Sequence, residues 1–362
     1  MRRDEAISYV WESGSLGARF VRALLWPLGW LYGAIIELRN AAYDRGLFSS
    51  YALELPTISI GNLSVGGTGK TPVAAWLVGR LKAAGARPAI VLRGYGGDEP
   101  LVHARLNPGV PVIVNADRVA GVREAKAAGA NIVVLDDAFQ HRKARRDIDA
   151  VLLSADRFGP VRPLPAGPWR EPLGALARAS LIAVTRKSAS KLRARELLSH
   201  AMRFSPKAAG AILHLTPDAL VQWSSGIAEP VSSLSGAPIL AVSAIGDPRA
   251  FAGQLRAAGA RVEAVSYPDH HAFSRADAES LAARAQGKSR VVCTLKDAVK
   301  LANVWPRQAA PIWYLSQRIT VEAGGESWDR LVATFASKAM SVRPNGTTTP
   351  AESGPTTDSN VP

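Results

Sequence analysis

Apolar residues along the chain gather into short β-branched runs separated by Ala- and Leu-rich stretches of helical period. The runs at 57–60, 111–114, 149–153, 181–184, 239–243 and 291–294 are mostly continuous rather than alternating. Continuous runs predict strands buried on both faces, as in a mostly parallel sheet covered by helices. Three junctions share one local pattern, Leu81-Lys-Ala-Ala-Gly-Ala, Ala125-Lys-Ala-Ala-Gly-Ala and Leu255-Arg-Ala-Ala-Gly-Ala. In each, a helix ends at a glycine (Gly85, Gly129 or Gly259) able to take the left-handed C-cap conformation, and a strand run follows within a few residues. Helix and strand therefore alternate, which predicts an α/β fold. The spacing of the junctions is too irregular for a solenoid.

Between about 205 and 236 the pattern breaks into short pieces punctuated by Pro217, Gly226, Pro230 and Gly236. This predicts an N-terminal segment at 1–45, a larger α/β domain at 46–205, a hinge or linker at 206–236 and a smaller second α/β domain at 237–340. From 341 to 362 the chain has no aromatic residue and four prolines. Such a tail buries too little surface to offset its ordering entropy, so disorder is expected.

The N-terminal segment has its own character. Ala23 to Ile36 reads ALLWPLGWLYGAII, uncharged, with Arg19 and Arg22 before it and Glu37 and Arg39 after it. A helix of that length spans about 21 Å, short of the roughly 30 Å hydrocarbon core of a bilayer. Pro27, Gly29 and Gly33 weaken a straight span, whereas Trp26, Trp30 and Tyr32 are rings that settle at a headgroup boundary. The expectation is an interfacial or re-entrant anchor rather than a crossing. A signal peptide competes, but no A-x-A-like cleavage site follows.

The 362 residues carry 44 Lys+Arg against 30 Asp+Glu, a net +14, which calls for an anionic partner. Residues 157–207 hold eleven Lys/Arg with only Glu171 and Glu196 as acids. Stacking aromatics are sparse there, which argues against single-stranded nucleic acid and leaves a lipid surface, a phosphorylated substrate or a solvated basic face. The one cysteine, Cys293, sits in an apolar run and excludes a disulfide framework or a Cys-based zinc site.

The chemistry concentrates at Thr57-Ile-Ser-Ile-Gly-Asn-Leu-Ser-Val-Gly-Gly-Thr-Gly-Lys-Thr-Pro72. A strand enters a glycine-rich turn and leaves as a helix with Pro72 in its first turn, so backbone N–H groups and the helix dipole converge on one anion site. Ser64, Val65, Gly66, Gly67, Thr68 and Gly69 would wrap a phosphate chain, Lys70 would reach the β and γ phosphates of ATP, and the Thr71 hydroxyl would bind Mg²⁺. Ser64 stands where the consensus has its first glycine. Asn131-Ile-Val-Val-Leu-Asp-Asp137 then supplies an apolar strand ending in Asp136 and Asp137, suited to holding the metal and its water. These residues alone leave open a phosphotransferase or ATPase acting on a soluble substrate, and a membrane-attached nucleotide switch.

Several strings taken together resemble the tetraacyldisaccharide 4'-kinase (lipid A 4'-kinase) family. They are Gly61 to Pro72, Arg93-Gly94-Tyr95-Gly96, Gly97-Asp98-Glu99-Pro100, Asp136 to Arg142, Leu164 to Pro172, Pro268-Asp269-His270-His271 and Lys296 to Leu301. The resemblance runs in order from about 20 to 335 and includes Ser64 in the phosphate loop. It implies a P-loop NTPase-like sheet with helices on both faces, ATP and Mg²⁺, and transfer of a phosphoryl group to the 4'-hydroxyl of tetraacyldisaccharide 1-phosphate, giving lipid IVA. The site would be the cytoplasmic face of the bacterial inner membrane, with no nucleic acid and no protein partner inferred. By resemblance Asp98 is the base, assisted by His270, and Glu171 joins Thr71, Asp136 and Asp137 around Mg²⁺. Asn62, Arg93, Tyr95, His141, Arg142, Arg170 and His271 are the expected substrate contacts. The chain departs from the family in joining Gly96 directly to Gly97, where relatives insert a loop, and in Leu92 and Leu295.

Overall fold

The computed structural model describes residues 3–94 and 97–342. Tyr95, and residues 343–362 of the expected tail, lie outside the described residues. Two helices open the chain, α1 (Arg3–Glu12) and α2 (Leu16–Asp44). They are followed by β1 (Tyr51–Ala52), β2 (Thr57–Asn62), α3 (Lys70–Ala83), β3 (Pro88–Leu92), α4 (Glu99–Leu106), β4 (Val112–Val114) and α5 (Arg118–Ala127). Next come β5 (Ile132–Asp136), β6 (Ala144–Arg145), β7 (Ile148–Ser154), β8 (Leu181–Arg186) and α6 (Lys191–Met202). The remainder is β9 (Ala209–Gln222), β10 (Ala228–Pro230), β11 (Pro238–Ser243), α7 (Pro248–Ala257), β12 (Arg261–Ser266), α8 (Arg275–Arg284), β13 (Arg290–Thr294), α9 (Leu295–Leu301), β14 (Ile312–Ala323) and α10 (Gly325–Met340).

One hydrogen-bonded path joins the strands in the order β12-β11-β13-β14-β9-β8-β7-β2-β5-β3-β4, with β10 added to β9. Pairs from β4 to β9 are parallel, as are those from β12 to β14, and only β14–β9 within the path is antiparallel. Every residue of β2, β3, β5 and β8 is buried. That is the two-sided burial their unbroken apolar runs predict, and the α/β, P-loop-like fold class follows from it.

The segment expected as a linker, 206–236, is instead built around a long strand. β9 runs beside β8 at its start and pairs with β14 over Ile212–Gln222. The ribbon of β9 and β14 thus belongs to both halves of the sheet. Pro217 broke the sequence pattern because it lies beside a bulge, where the register shifts between Leu315 and Gln317. A proline is tolerated where the ladder is interrupted. The C-terminal helix also departs from the expected division. α10 returns to the first half, where Trp328 packs edge-to-face on Trp76 of α3 with ring centroids 5.2 Å apart, and Leu331, Val332 and Phe335 join the same core cluster.

The N-terminal helix is longer than its uncharged stretch predicts. α2 has 29 residues with Pro27 inside it, about 43 Å at ~1.5 Å per residue. By length and composition it is apolar enough to cross a membrane. Its inner face, however, is tied to the body. Tyr32 donates to the Arg170 carbonyl (3.2 Å), Arg39 to the Gln140 carbonyl (3.0 Å) and Asn40 to Glu171 (2.8 Å), while Arg142 pairs with Asp44 (2.6 Å). At Gly29 a Cβ would meet Ala166 at 3.3 Å, so the glycine sets how closely the helix lies on the 163–166 loop. The opposite face exposes Phe20, Leu24, Trp26, Trp30, Leu31 and Leu38.

Trp328 is fully buried, and its removal leaves a cavity between α3 and α10. Trp328→Ala is expected to destabilise the protein by about 3–5 kcal/mol, read from equilibrium denaturation. A loss under about 1 kcal/mol would mean that α10 does not contribute to the core of the first half.

Candidate active site

Strand β2 carries the phosphate loop, and a close approach sets its position. At Gly61 a Cβ would lie 2.5 Å from that of Phe139, so glycine alone lets β2 run against the turn that follows β5. That contact puts the phosphate loop beside Asp136 and Asp137. The loop itself is held from three sides. Asn62 Nδ2 donates to the Ser64 carbonyl (2.6 Å) and to Thr68 Oγ1 (3.0 Å). The Val65 amide donates to the Pro168 carbonyl (2.7 Å), and Thr185 Oγ1 at the end of β8 donates to the Thr68 carbonyl (2.9 Å). Gly66 and Gly69 have φ of 112° and 84°, and Gly69 is the N-cap of α3. The helix N-terminus therefore opens on a cavity of about 1830 Å³ that runs from the loop to α2 on one side and to the second half on the other.

Lys70 enters this cavity 3.7 Å from Asp137, and burial holds its ammonium below the usual lysine range. Asp137 also receives Arg170 Nη1 on both oxygens at 3.0 Å. Asp136 is buried at the end of β5. Burial pushes its carboxyl up, but the His103 hydrogen bond (2.8 Å) and then Lys70 and Lys296 more than offset that and hold it below the usual range. Its Oδ1 is buried with no hydrogen-bond partner. Glu171 uses Oε2 to accept from Asn40 and Arg178, both at 2.8 Å, and its Oε1 is likewise unpartnered.

The four residues expected around Mg²⁺ are therefore not gathered into one carboxylate cluster. Among the described residues no group of three His, Cys, Asp or Glu side chains forms a metal centre. Asp137 is neutralised by Arg170 and Lys70, and Glu171 fastens α2 through Asn40. Asp136, with its unpartnered Oδ1, and Thr71, which lines the same cavity, still fit a magnesium ion, which binds through one or two protein groups and takes its other oxygens from water and phosphate.

Beside Glu99, which lines the cavity, Asp98 is the N-cap of α4, with both carboxylate oxygens buried and without a hydrogen-bond partner. His270, from the loop after β12, places Nδ1 3.4 Å from Asp98 Oδ1. Burial raises the Asp98 carboxyl, yet His270, Lys296 and Lys300 outweigh it and leave Asp98 below the usual range. The same partner lifts His270 above the usual imidazole value, against the effect of its burial. Asp137 and His270 are the non-glycine residues with positive φ among those described, at 53° and 58°. Backbone strain of roughly 1–3 kcal/mol at each places the two exceptions at the cavity.

The remaining expected contacts divide. Arg93, Arg170 and His141 line the cavity, and burial followed by Arg118 lowers His141 to about 4, so its ring is neutral at physiological pH. Asn62 braces the phosphate loop, and Arg142 reaches Asp44 and the Asn40 carbonyl, fixing α2. His271 turns away, bonded to Asp277 (3.1 Å) and stacked on Tyr267. The sequence reading overlooked Glu99, Arg118, Lys187 and Lys296, which all line the cavity. Lys296 comes within 4.0 Å of Glu99 from the opposite half, and Asp156 braces residues 187–189 through their three amides. Glu99 lay in plain view beside Asp98. Lys296 opens the string ending at Leu301, and only the sheet order brings it, Arg118 and Lys187 to the cavity.

The model of the tetraacyldisaccharide-1-P 4'-kinase family, LpxK, matches residues 21–336. The chain belongs to this family. It is 38% identical over 337 residues to the tetraacyldisaccharide 4'-kinase of Halorhodospira halophila (strain DSM 244 / SL1), covering 87% of this chain and 92% of that protein. With the tetraacyldisaccharide 4'-kinase of Geobacter sulfurreducens it shares 35% identity over 317 residues, 80% of this chain and 87% of the relative. A crystal structure of "apo" form LpxK from Aquifex aeolicus in complex with ATP superposes with a TM-score of 0.70 at 29% identity, covering 87% of this chain and 99% of that one. The family is one of ATP-dependent kinases, and the phosphate loop of this member carries the fold's anion site.

The Asp98–His270 contact makes a pH prediction. Because His270 holds the Asp98 carboxyl down, His270→Ala should raise it, and activity that needs the carboxylate should then be lost at a higher pH. The acid limb of the kcat/KM profile is expected to move upward in the variant. An unmoved limb would show that the two groups do not interact in the working enzyme. The linkage runs the other way for stability. His270, raised in the folded state, contributes fully below about pH 6.5 and loses its contribution as pH rises through its folded value.

Proposed function

We infer that this chain transfers the γ-phosphoryl group of ATP to the 4'-hydroxyl of tetraacyldisaccharide 1-phosphate, forming lipid IVA and ADP in lipid A biosynthesis. The observation that carries the mechanism is Asp98, a buried carboxylate with both oxygens unpartnered, 3.4 Å from Nδ1 of His270, which lines the cavity of the phosphate loop. Asp98 accepts the hydroxyl proton as the sugar oxygen bonds to the γ-phosphorus and the bond to the ADP oxygen breaks. In a loose transition state little bond to phosphorus has formed, so the hydroxyl oxygen gains little positive charge and its proton leaves late, and a base held below the usual carboxylate range suffices. His270 orients the carboxylate. Lys70 and the loop amides hold the phosphates, and Arg170 and His141 meet the sugar from the α2 side.

Thr71 and the free Oδ1 of Asp136 are the groups that would hold Mg²⁺, which when bound neutralises phosphate charge. The membrane reading rests on α2. Its inner bonds from Tyr32 to Asp44 keep it along the body, so the helix lies at the cytoplasmic face of the inner membrane with Leu24, Trp26 and Trp30 in the interface. The cavity extends to Tyr32, Ile36 and Arg39, which opens it to a substrate held in that surface.

The direct test is ATP-dependent phosphorylation of the tetraacyldisaccharide 1-phosphate in mixed micelles. Product with a 4'-phosphate is expected, and Lys70→Ala should lower turnover by at least about 10²-fold without loss of fold. No transfer by the wild-type protein, or near-normal turnover by the variant, would overturn the reading. A second test uses Leu24→Glu with Trp30→Glu, which should release the protein from vesicles while leaving turnover on micellar substrate largely intact. Unchanged vesicle binding would remove α2 as the anchor.

A further inference from the structure

We propose that His103 is a positioning residue that orients Asp136 for metal–nucleotide binding and couples the helix carrying the base to the strand carrying the metal ligand. The proposal rests on the reading of Asp136 as a ligand of Mg²⁺. His103 is wholly buried on α4, and its Nε2 lies 2.8 Å from Asp136 Oδ2. A carboxylate only accepts, so Nε2 carries the hydrogen. Nδ1 is buried with no partner, so Nε2 makes the ring's one hydrogen bond. Ring and carboxylate are therefore committed to each other.

The consequence lies at the other oxygen. With Oδ2 occupied by His103, Asp136 presents Oδ1, buried and unpartnered, as its one remaining acceptor. The histidine thereby fixes both the side-chain rotation and the oxygen offered to the cavity, as an outer-shell partner does for a metal-ligating carboxylate. Its place on α4 gives it a second role. Glu99 and His103 are four residues apart and share a helix face, and Asp136 is among the charges that raise the Glu99 carboxyl after its burial. Asp98 caps the same helix. Through one hydrogen bond the helix that carries the base is registered against the strand that faces the phosphate loop. No charged or polar residue type in the phosphate-loop pattern predicts a histidine at this position, and nothing in the transfer step consumes it.

The test compares His103→Gln, whose side-chain amide nitrogen can replace Nε2, with His103→Met, which has similar length and no donor. Mn²⁺ affinity of the ATP complex, read by electron paramagnetic resonance of free Mn²⁺, serves as the metal readout beside the Mg²⁺ dependence of turnover. The expected result is a roughly tenfold weaker Mn²⁺ affinity and a matching rise in Mg²⁺ requirement for His103→Met, with His103→Gln within about twofold of wild type. KM for the lipid should not move in either. Equal impairment of both variants would assign His103 to packing and overturn the proposal, as would unchanged Mn²⁺ affinity in His103→Met. Asp136→Asn separates the two readings. If it weakens Mn²⁺ binding while His103→Met does not, only the role of His103 fails; if it leaves Mn²⁺ binding intact, the ligand reading fails and the proposal with it. Should His103→Met not fold, His103→Leu, which also lacks the donor, takes its place with the same tenfold weakening expected and the same unchanged affinity overturning the proposal.

Discussion

A buried carboxylate oxygen without a hydrogen-bond partner costs a folded chain free energy, and this protein keeps several of them around one cavity. Both oxygens of Asp98 and one each of Asp136 and Glu171 are in that state. Water would satisfy such groups at the surface, but here the sheet and its helices hold them away from it. What makes the arrangement tolerable is a basic group beside each: His270 for Asp98, His103 for Asp136 and Arg178 for Glu171, with Lys296 acting on both aspartates. Each partner leaves at least one oxygen free, the acceptor capacity that the proposed mechanism assigns to a hydroxyl proton and a metal ion.

The supporting structure follows from that requirement. β2 and β5 bring the phosphate loop against Asp136, and the close contact at Gly61 fixes their separation. His270 belongs to the other half of the sheet, joined to the first by the β9–β14 ribbon, and its strained backbone points to a position imposed by the site rather than by local preference. Arg170 performs a parallel service by pinning Asp137, the other strained residue. Glu171 carries the constraint outward. Through Asn40 it fastens α2, so the exposed apolar face of that helix and the phosphate-loop cavity share one connection.

Much of this was legible in the sequence because it depends on local chemistry. A strand, a glycine turn and a helix starting at Lys70 announce an anion site even with Ser64 in place of glycine, and the apolar run ending in Asp136 and Asp137 announces its neighbour. The repeated glycine C-caps gave the α/β alternation. What escaped depends on distant pairing. β9 reads as a broken pattern since its partners are β8 and β14, one of them about a hundred residues on, and its proline sits beside a bulge. Residues 325–340 belong to the first half through Trp328 and Trp76, a contact no local period encodes. α2 exceeded its uncharged stretch because its flanking polar residues bond to the body. Asp137 and Glu171 read as metal ligands, and the ion pairs that they make, with Arg170 33 residues from Asp137 and Arg178 seven residues from Glu171, are not encoded in that pattern. His103 was invisible for the same reason, its partner lying 33 residues away on a different strand.

The central claim is that Asp98 and His270, from opposite halves of the sheet, act as one proton-accepting unit. A double-mutant cycle measures this most directly, with kcat determined at saturating ATP and lipid for Asp98→Ala, His270→Ala and the pair together. Groups that share one function show strongly non-additive losses. The account predicts that the double variant is little worse than the poorer single variant. Losses that multiply in full would contradict it and leave His270 as an independent contact rather than half of the base.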